Sequence, residues 1–92
     1  MVKFYRANDG VHKYVAEFTD PPKKVKFGAI GYDDFTTTGD EVRKALYLNR
    51  HRATENWSNP KTPGALSRWI LWGDSKSLRK NIESFKRRFG MS

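Results

Sequence analysis

The sequence predicts an α+β domain: a small three-stranded antiparallel β-meander followed by about three helices. Three observations carry that prediction. Polar and apolar residues alternate with period two through the first thirty or so positions, interrupted by turn-forming clusters. Capping residues and a helix-opening proline then mark three helix starts. Near the end, Leu78, Ile82, Phe85 and Phe89 recur at i, i+4, i+7 and i+11, the spacing of one helix face. At 92 residues the chain has room for one core. Residues 1–92 are therefore read as a single basic domain, with strands within about 2–30 and helices over about 39–53, 63–72 and 75–89.

The strands come first. Lys3-Phe4-Tyr5-Arg6 runs into Asn8-Asp9-Gly10, a strong turn signal. From Val11 to Thr19 the pattern puts His12, Tyr14, Ala16 and Phe18 on one face, and Val11, Lys13, Val15 and Glu17 on the other. Asp20-Pro21-Pro22-Lys23 forces a second turn, because neither proline can donate to a ladder. Lys24-Val25-Lys26-Phe27 alternates again before Gly28 and Gly31 break the strand.

Residues 32–37 read as a loop, and Thr38-Gly39-Asp40-Glu41 matches a capping box with Thr38 as the cap. The helix after it carries Val42, Ala45, Leu46 and Asn49 on one stripe, widened by Tyr47 and Leu48. Thr62-Pro63 opens the next helix, since proline at the first position loses no hydrogen bond. Leu66, Trp69 and Ile70 share a face there, and Gly73 closes it. A helix this short is not expected to bury Trp69, Ile70, Leu71 and Trp72 together, which leaves Leu71 or Trp72 for a partner. The last helix starts with Asp74 or Ser75 as cap.

Charge is the strongest global property. Eighteen Lys and Arg against ten Asp and Glu give +8 and a pI near 10.0. Residues 61–92 hold eight of the basic groups and two of the acidic ones. Over residues 76–90 the net charge is +5, and such a face repels itself unless something answers it. The expected partner is therefore an acidic protein surface or a nucleic-acid backbone. The contact residues are Arg68, Trp72, Lys76, Arg79, Lys80, Lys86, Arg87 and Arg88, with Arg50 and Arg52 as a second patch. Tyr5, Tyr14, Tyr32 and Trp57 are candidates for base stacking. No helix-turn-helix, RRM or zinc-finger signature appears, so contact to nucleic acid would be to phosphate and independent of sequence.

Several chemistries have little support. The chain has no cysteine, which excludes disulfides, thiol nucleophiles and zinc knuckles. No run of eight apolar residues exists, so neither a membrane span nor a signal-peptide core is expected. His51 and Glu55 would meet on one helix face, but a metal needs a further ligand, and a surface His–Glu contact is the plainer reading. Asp33, Asp34, Asp40 and Glu41 with Lys44 could suggest a metal-dependent nuclease. Carboxylates in a first helical turn already explain Asp40 and Glu41. Gly28-Ala29-Ile30-Gly31 lacks the length and the Lys-Ser/Thr of a phosphate loop. The chain is read as a non-enzyme with no cofactor, metal or small-molecule substrate.

The pattern Lys26-Phe27-Gly28-Ala29, Gly31-Tyr32, Asp34-Phe35 resembles a family of small basic proteins of unknown function encoded by large DNA viruses of algae and amoebae. The likeness continues through Arg43-Lys44, Tyr47-Leu48, Arg50-His51-Arg52, Glu55-Asn56-Trp57, Gly64 and Ser67-Arg68-Trp69-Ile70-Leu71-Trp72 to Lys86-Arg87-Arg88-Phe89. It covers roughly residues 10–89. Pro63 stands where the family more often has alanine, and Gly73-Asp74-Ser75 where it more often has Asn-Lys-Pro. The resemblance implies a viral protein found in the virion, or in host cytoplasm or nucleus during infection. Two roles suit it. One is a minor capsid or other structural component, docked through its cationic, Trp-containing surface on acidic protein such as a major capsid subunit. The other is a sequence-independent DNA-binding protein on the genome. The structural role stands slightly ahead, because a domain with a thin core gains from docking into a lattice.

Overall fold

The computed structural model describes residues 1–92. Strands β1 (Val2–Arg6), β2 (His12–Phe18) and β3 (Lys23–Ala29) form an antiparallel sheet in the order β1-β2-β3. The register sets Phe4 opposite Ala16 and Ala16 opposite Val25, with Tyr14 opposite Phe27 in the next row. Those residues, with Val2 and Phe18, face the helices, as period-two alternation requires. Asp9 closes the first turn by accepting from the backbone N–H groups of Val11 and His12, both at 2.9 Å. These bonds, with the His12 ring and the Lys26 ammonium, hold the Asp9 carboxyl well below the usual carboxylate range.

Four helical segments follow. Helix α1 (Phe35–Thr38) is one turn that no periodicity announces, and it lies where a loop is expected. Asp34 caps it, accepting from Thr36 N at 2.8 Å, while Thr37 Oγ1 accepts from Asp34 N at 3.0 Å. The capping box therefore exists, four residues earlier than Thr38. Gly39, left-handed at φ 64°, ends the turn at a conformation that costs a Cβ-bearing residue energy. Thr38 already belongs to α1, so Asp40 becomes the cap of α2 (Glu41–His51) and accepts from Val42 N and Arg43 N.

Helix α3 (Pro63–Leu66), capped by Thr62, runs straight into a π-helical turn, Ser67–Leu71. Its i→i+5 bond joins Trp72 N to Ser67 O at 2.9 Å. A π turn holds more residues than an α turn, so neighbouring side chains diverge by a smaller angle. Ile70, Leu71 and Trp72 consequently all enter the core. This overturns the expectation that Leu71 or Trp72 stands free. Helix α4 (Leu78–Arg88) starts at Ser77, later than Asp74 or Ser75. Buried Asn81 delays it: Oδ1 accepts from Ser75 N, and Nδ2 donates to Ser75 O and Ile70 O, holding 73–77 as a loop. Phe85 sits at the centre of the core, 5.8 Å from Phe4 and edge-on to it, and Leu78, Ile82 and Phe89 pack at its margin.

The predicted stripe of α2 is the main packing surprise. No residue of that helix is buried, and Val42 and Leu46 are 69% and 52% exposed. Its anchors are Tyr47, stacked on Trp72 with ring centroids 4.3 Å apart, and Lys44, which donates to Gly73 O at 2.9 Å.

Candidate polyanion-binding surface

The fold sorts the cations into two sets. Four are neutralised: Lys13 by buried Asp34 at 2.6 Å, Lys26 by Asp9 and Arg43 by Asp33, each at 3.3 Å, and Lys44 by Asp74 at 3.8 Å. These pairs lie along the sheet and around α1 and α2. They also disperse the acidic group Asp33, Asp34, Asp40 and Glu41. Asp34 is an ion-paired cap, Asp40 is a second cap, and Lys44 turns toward Gly73. No group of three or more histidines and carboxylates stands together as a metal cage would require. His51 and Glu55 do form the surface pair, at 2.9 Å.

The other fourteen have no counter-ion: Lys3, Arg6, Lys23 and Lys24 on the strands, Lys61 before α3, and nine on the helical part of the chain. None of Arg50, Arg52, Arg68, Lys76, Arg79, Lys80, Lys86, Arg87 and Arg88 has a carboxylate oxygen within 4.0 Å. Arg50 and Arg52 close α2. Arg68 lies on the π turn, and the remaining six lie on α4 or in the loop before it. Arg79 and Lys80 occupy the first turn of α4, which holds no acidic residue. A helix N-terminus favours carboxylates there, so these charges sit where they cost the fold stability.

Trp72 does not belong to this surface. It is 9% exposed and stacked on the Tyr47 ring, so it leaves the predicted contact set. Trp69 and Trp57 take its place. The Arg68 guanidinium lies 4.2 Å from the Trp69 ring centroid and 5.3 Å from that of Trp57, and Arg88 lies 3.8 Å from Trp69. Arg68 donates one N–H to Trp72 O at 2.9 Å, while its Nε is buried without a partner. Burial lowers the Arg68 pKa; Asp74 opposes that, and the charges of Arg88 and Arg52 add to it. Of the stacking candidates, Tyr32 is 74% exposed, Tyr5 bonds Glu17, Tyr14 packs on Phe27, and Trp57 is half-buried.

Behind the arginines lies a polar frame. Glu55 accepts from Trp57 Nε1 at 2.8 Å with one oxygen and from His51 Nδ1 at 2.9 Å with the other. Trp69 Nε1 donates to Trp57 O at 2.9 Å. Gly64 is what lets Glu55 in, since a Cβ there would stand 2.9 Å from the Glu55 carboxyl carbon. The motif blocks Arg50-His51-Arg52, Glu55-Asn56-Trp57 and Ser67-Arg68-Trp69 are thus one connected assembly, a link that their separation in sequence conceals. Beside it opens a cleft of about 510 Å³, lined by Tyr32, Arg43, Leu46, Tyr47, Arg50 and Trp72 among others.

Fold and surface together define a small basic α+β domain most of whose cations have no carboxylate partner. Residues 2–51, more than half of the chain, match the family of unknown function DUF5754, and the chain belongs to it. No curated protein and no solved structure matches the chain. No helix is long and apolar enough to cross a membrane.

Proposed function

We propose that the protein is a non-enzymatic binder of nucleic-acid backbone, holding phosphates without reading sequence. The observation that carries this reading is that fourteen of the eighteen cations have no carboxylate within 4.0 Å, nine of them on the π turn, on α4 and the loop before it, and at the end of α2. Arg50, Lys86, Arg87 and Arg88 sit in the last turns of their helices, where positive charge is favoured, but Arg79 and Lys80 sit unpaired in a first turn, where it is not. The resemblance to proteins of large DNA viruses supplies a natural polyanion, the packaged or replicating genome.

A second reading keeps the same surface and gives it an acidic protein partner, making the chain a minor structural component of the virus particle. One observation favours it. Val42 and Leu46 are exposed on α2, and Ile30 and Tyr32 on the loop near it, and phosphate has no use for apolar area. The test is the triple variant Arg79→Glu, Lys80→Glu, Arg87→Glu. All three side chains are exposed, so the fold should survive by circular dichroism while duplex binding is lost. Undiminished binding by the folded variant contradicts the proposal.

A further inference from the structure

We infer that the cleft between α2 and the loop after β3 takes one unstacked nucleotide of a single-stranded nucleic acid. This rests on the reading just given and names a substrate class for it. The cleft measures about 510 Å³, within the range of small-ligand sites, and no residue of α4 lines it. Five Lys, Arg and Asp residues do, and four of them cancel. Lys13 pairs with Asp34 at 2.6 Å and Arg43 with Asp33 at 3.3 Å. Arg50 alone among the five has no counter-ion within 4.0 Å. The cleft therefore presents one uncompensated positive charge, the complement of one phosphodiester, and a guanidinium suits phosphate oxygens.

Its apolar part points the same way. Tyr47 has both ring faces covered, by Trp72 at 4.3 Å and by His51 at 4.2 Å between centroids, so it makes a fixed wall. Tyr32 is the opposite case. It is 74% exposed, while its carbonyl accepts from Lys13, which ties the loop to the sheet. Leu46, 52% exposed, lines the same cleft. An open ring, an apolar side chain and one free guanidinium suit a ligand with a flat apolar face and a single negative charge. A duplex hides its bases in the stack, and an acidic side chain has no flat face. An unpaired nucleotide offers both, and stacking on an aromatic ring accepts any base.

The experiment measures fluorescence anisotropy of three labelled probes with the purified chain. They are a thymidine strand of about twelve nucleotides, within the usual span of a single-strand site, an abasic strand of the same length, and a duplex. The abasic strand keeps the phosphates and lacks the bases. The thymidine strand should bind roughly tenfold more tightly than the abasic one, the scale of one base stacked on an aromatic ring. Tyr32→Ala, at an exposed position, should bring the two within about threefold and leave duplex and abasic binding as they were. Arg50→Gln should weaken the thymidine strand more than the abasic one, because only a held base sets its phosphate there. Equal affinity of the native chain for both strands overturns the cleft and leaves the backbone-binding proposal standing. A preference for bases that survives Tyr32→Ala does the same. Binding of the thymidine strand alone keeps the cleft and sinks the reading in which phosphate contacts carry the affinity. Binding of none of the three overturns both.

Discussion

At the scale of single residues, two buried polar groups, Asn81 and Asp34, fix local structure around the core. Asn81, 2% exposed, joins α4 to the end of the π turn and to the 73–77 loop through three hydrogen bonds. Asn81→Leu leaves Ser75 N, Ser75 O and Ile70 O without that partner and should cost about 2–4 kcal/mol in urea unfolding. Asp34→Ala strands Lys13 and uncaps α1, with an expected loss of about 3 kcal/mol. Tyr47 gives a pH signature. Burial, with Glu55 adding to it, pushes its hydroxyl up from 10.0 to about 12. The folded state holds that proton more tightly than the unfolded chain, so this contribution is intact below pH 10 and is lost as pH rises toward 12. Tyr47→Phe should flatten that part of an alkaline unfolding curve. An unchanged slope would show that the ring titrates as if exposed.

At the scale of elements, the π turn is the piece on which the rest depends. It delivers Ile70, Leu71 and Trp72 to the core and leaves Arg68 and Trp69 at the surface. Gly73 closes it in a space too small for a side chain, since a Cβ there would meet Trp69 O at 2.4 Å. Gly73→Ala should therefore destabilise by about 2 kcal/mol or more, as overpacking against backbone does. A melting temperature within a degree or two of the parent would contradict that geometry. The strands and α4 were legible in the sequence because alternation and the Leu78, Ile82, Phe85, Phe89 stripe report burial directly. Helix α1 was not, because four residues make one turn and contain no period. Its competing cap at Asp34 also displaced the expected start of α2. The π turn was hidden for a different reason. A run that reads as α-helix in composition can bond i→i+5, and only the packing of Trp72 on Tyr47 reveals it. The apolar stripe of α2 misled because periodicity records what could be buried, while neighbours decide what is. The burial of Trp72 was not legible in the sequence, and the approach of Arg68 and Arg88 to one tryptophan, Trp69, required the fold.

At the scale of the molecule, charge and compactness oppose each other. A Cα radius of gyration of 12.5 Å fits a chain of this length, so the +8 charge is confined to a small volume. Self-repulsion among unpaired cations should make stability rise with ionic strength, with sulfate more effective than chloride at equal ionic strength. The same repulsion is what a polyanion would relieve. The longest dimension is 37 Å, which spans about eleven base-pair steps of duplex at 3.4 Å each and sets the expected footprint.

The most direct test of the central claim is duplex binding by the purified chain, measured from about 50 to 200 mM salt. If six of the unpaired cations meet phosphates, the logarithm of the association constant should fall with log salt at a slope of about −5. That is a loss of roughly a thousandfold over the range, with scrambled sequences binding alike. A slope shallower than about −2, or binding already absent near 100 mM salt, would contradict the claim. The unpaired cations would then belong against an acidic protein surface.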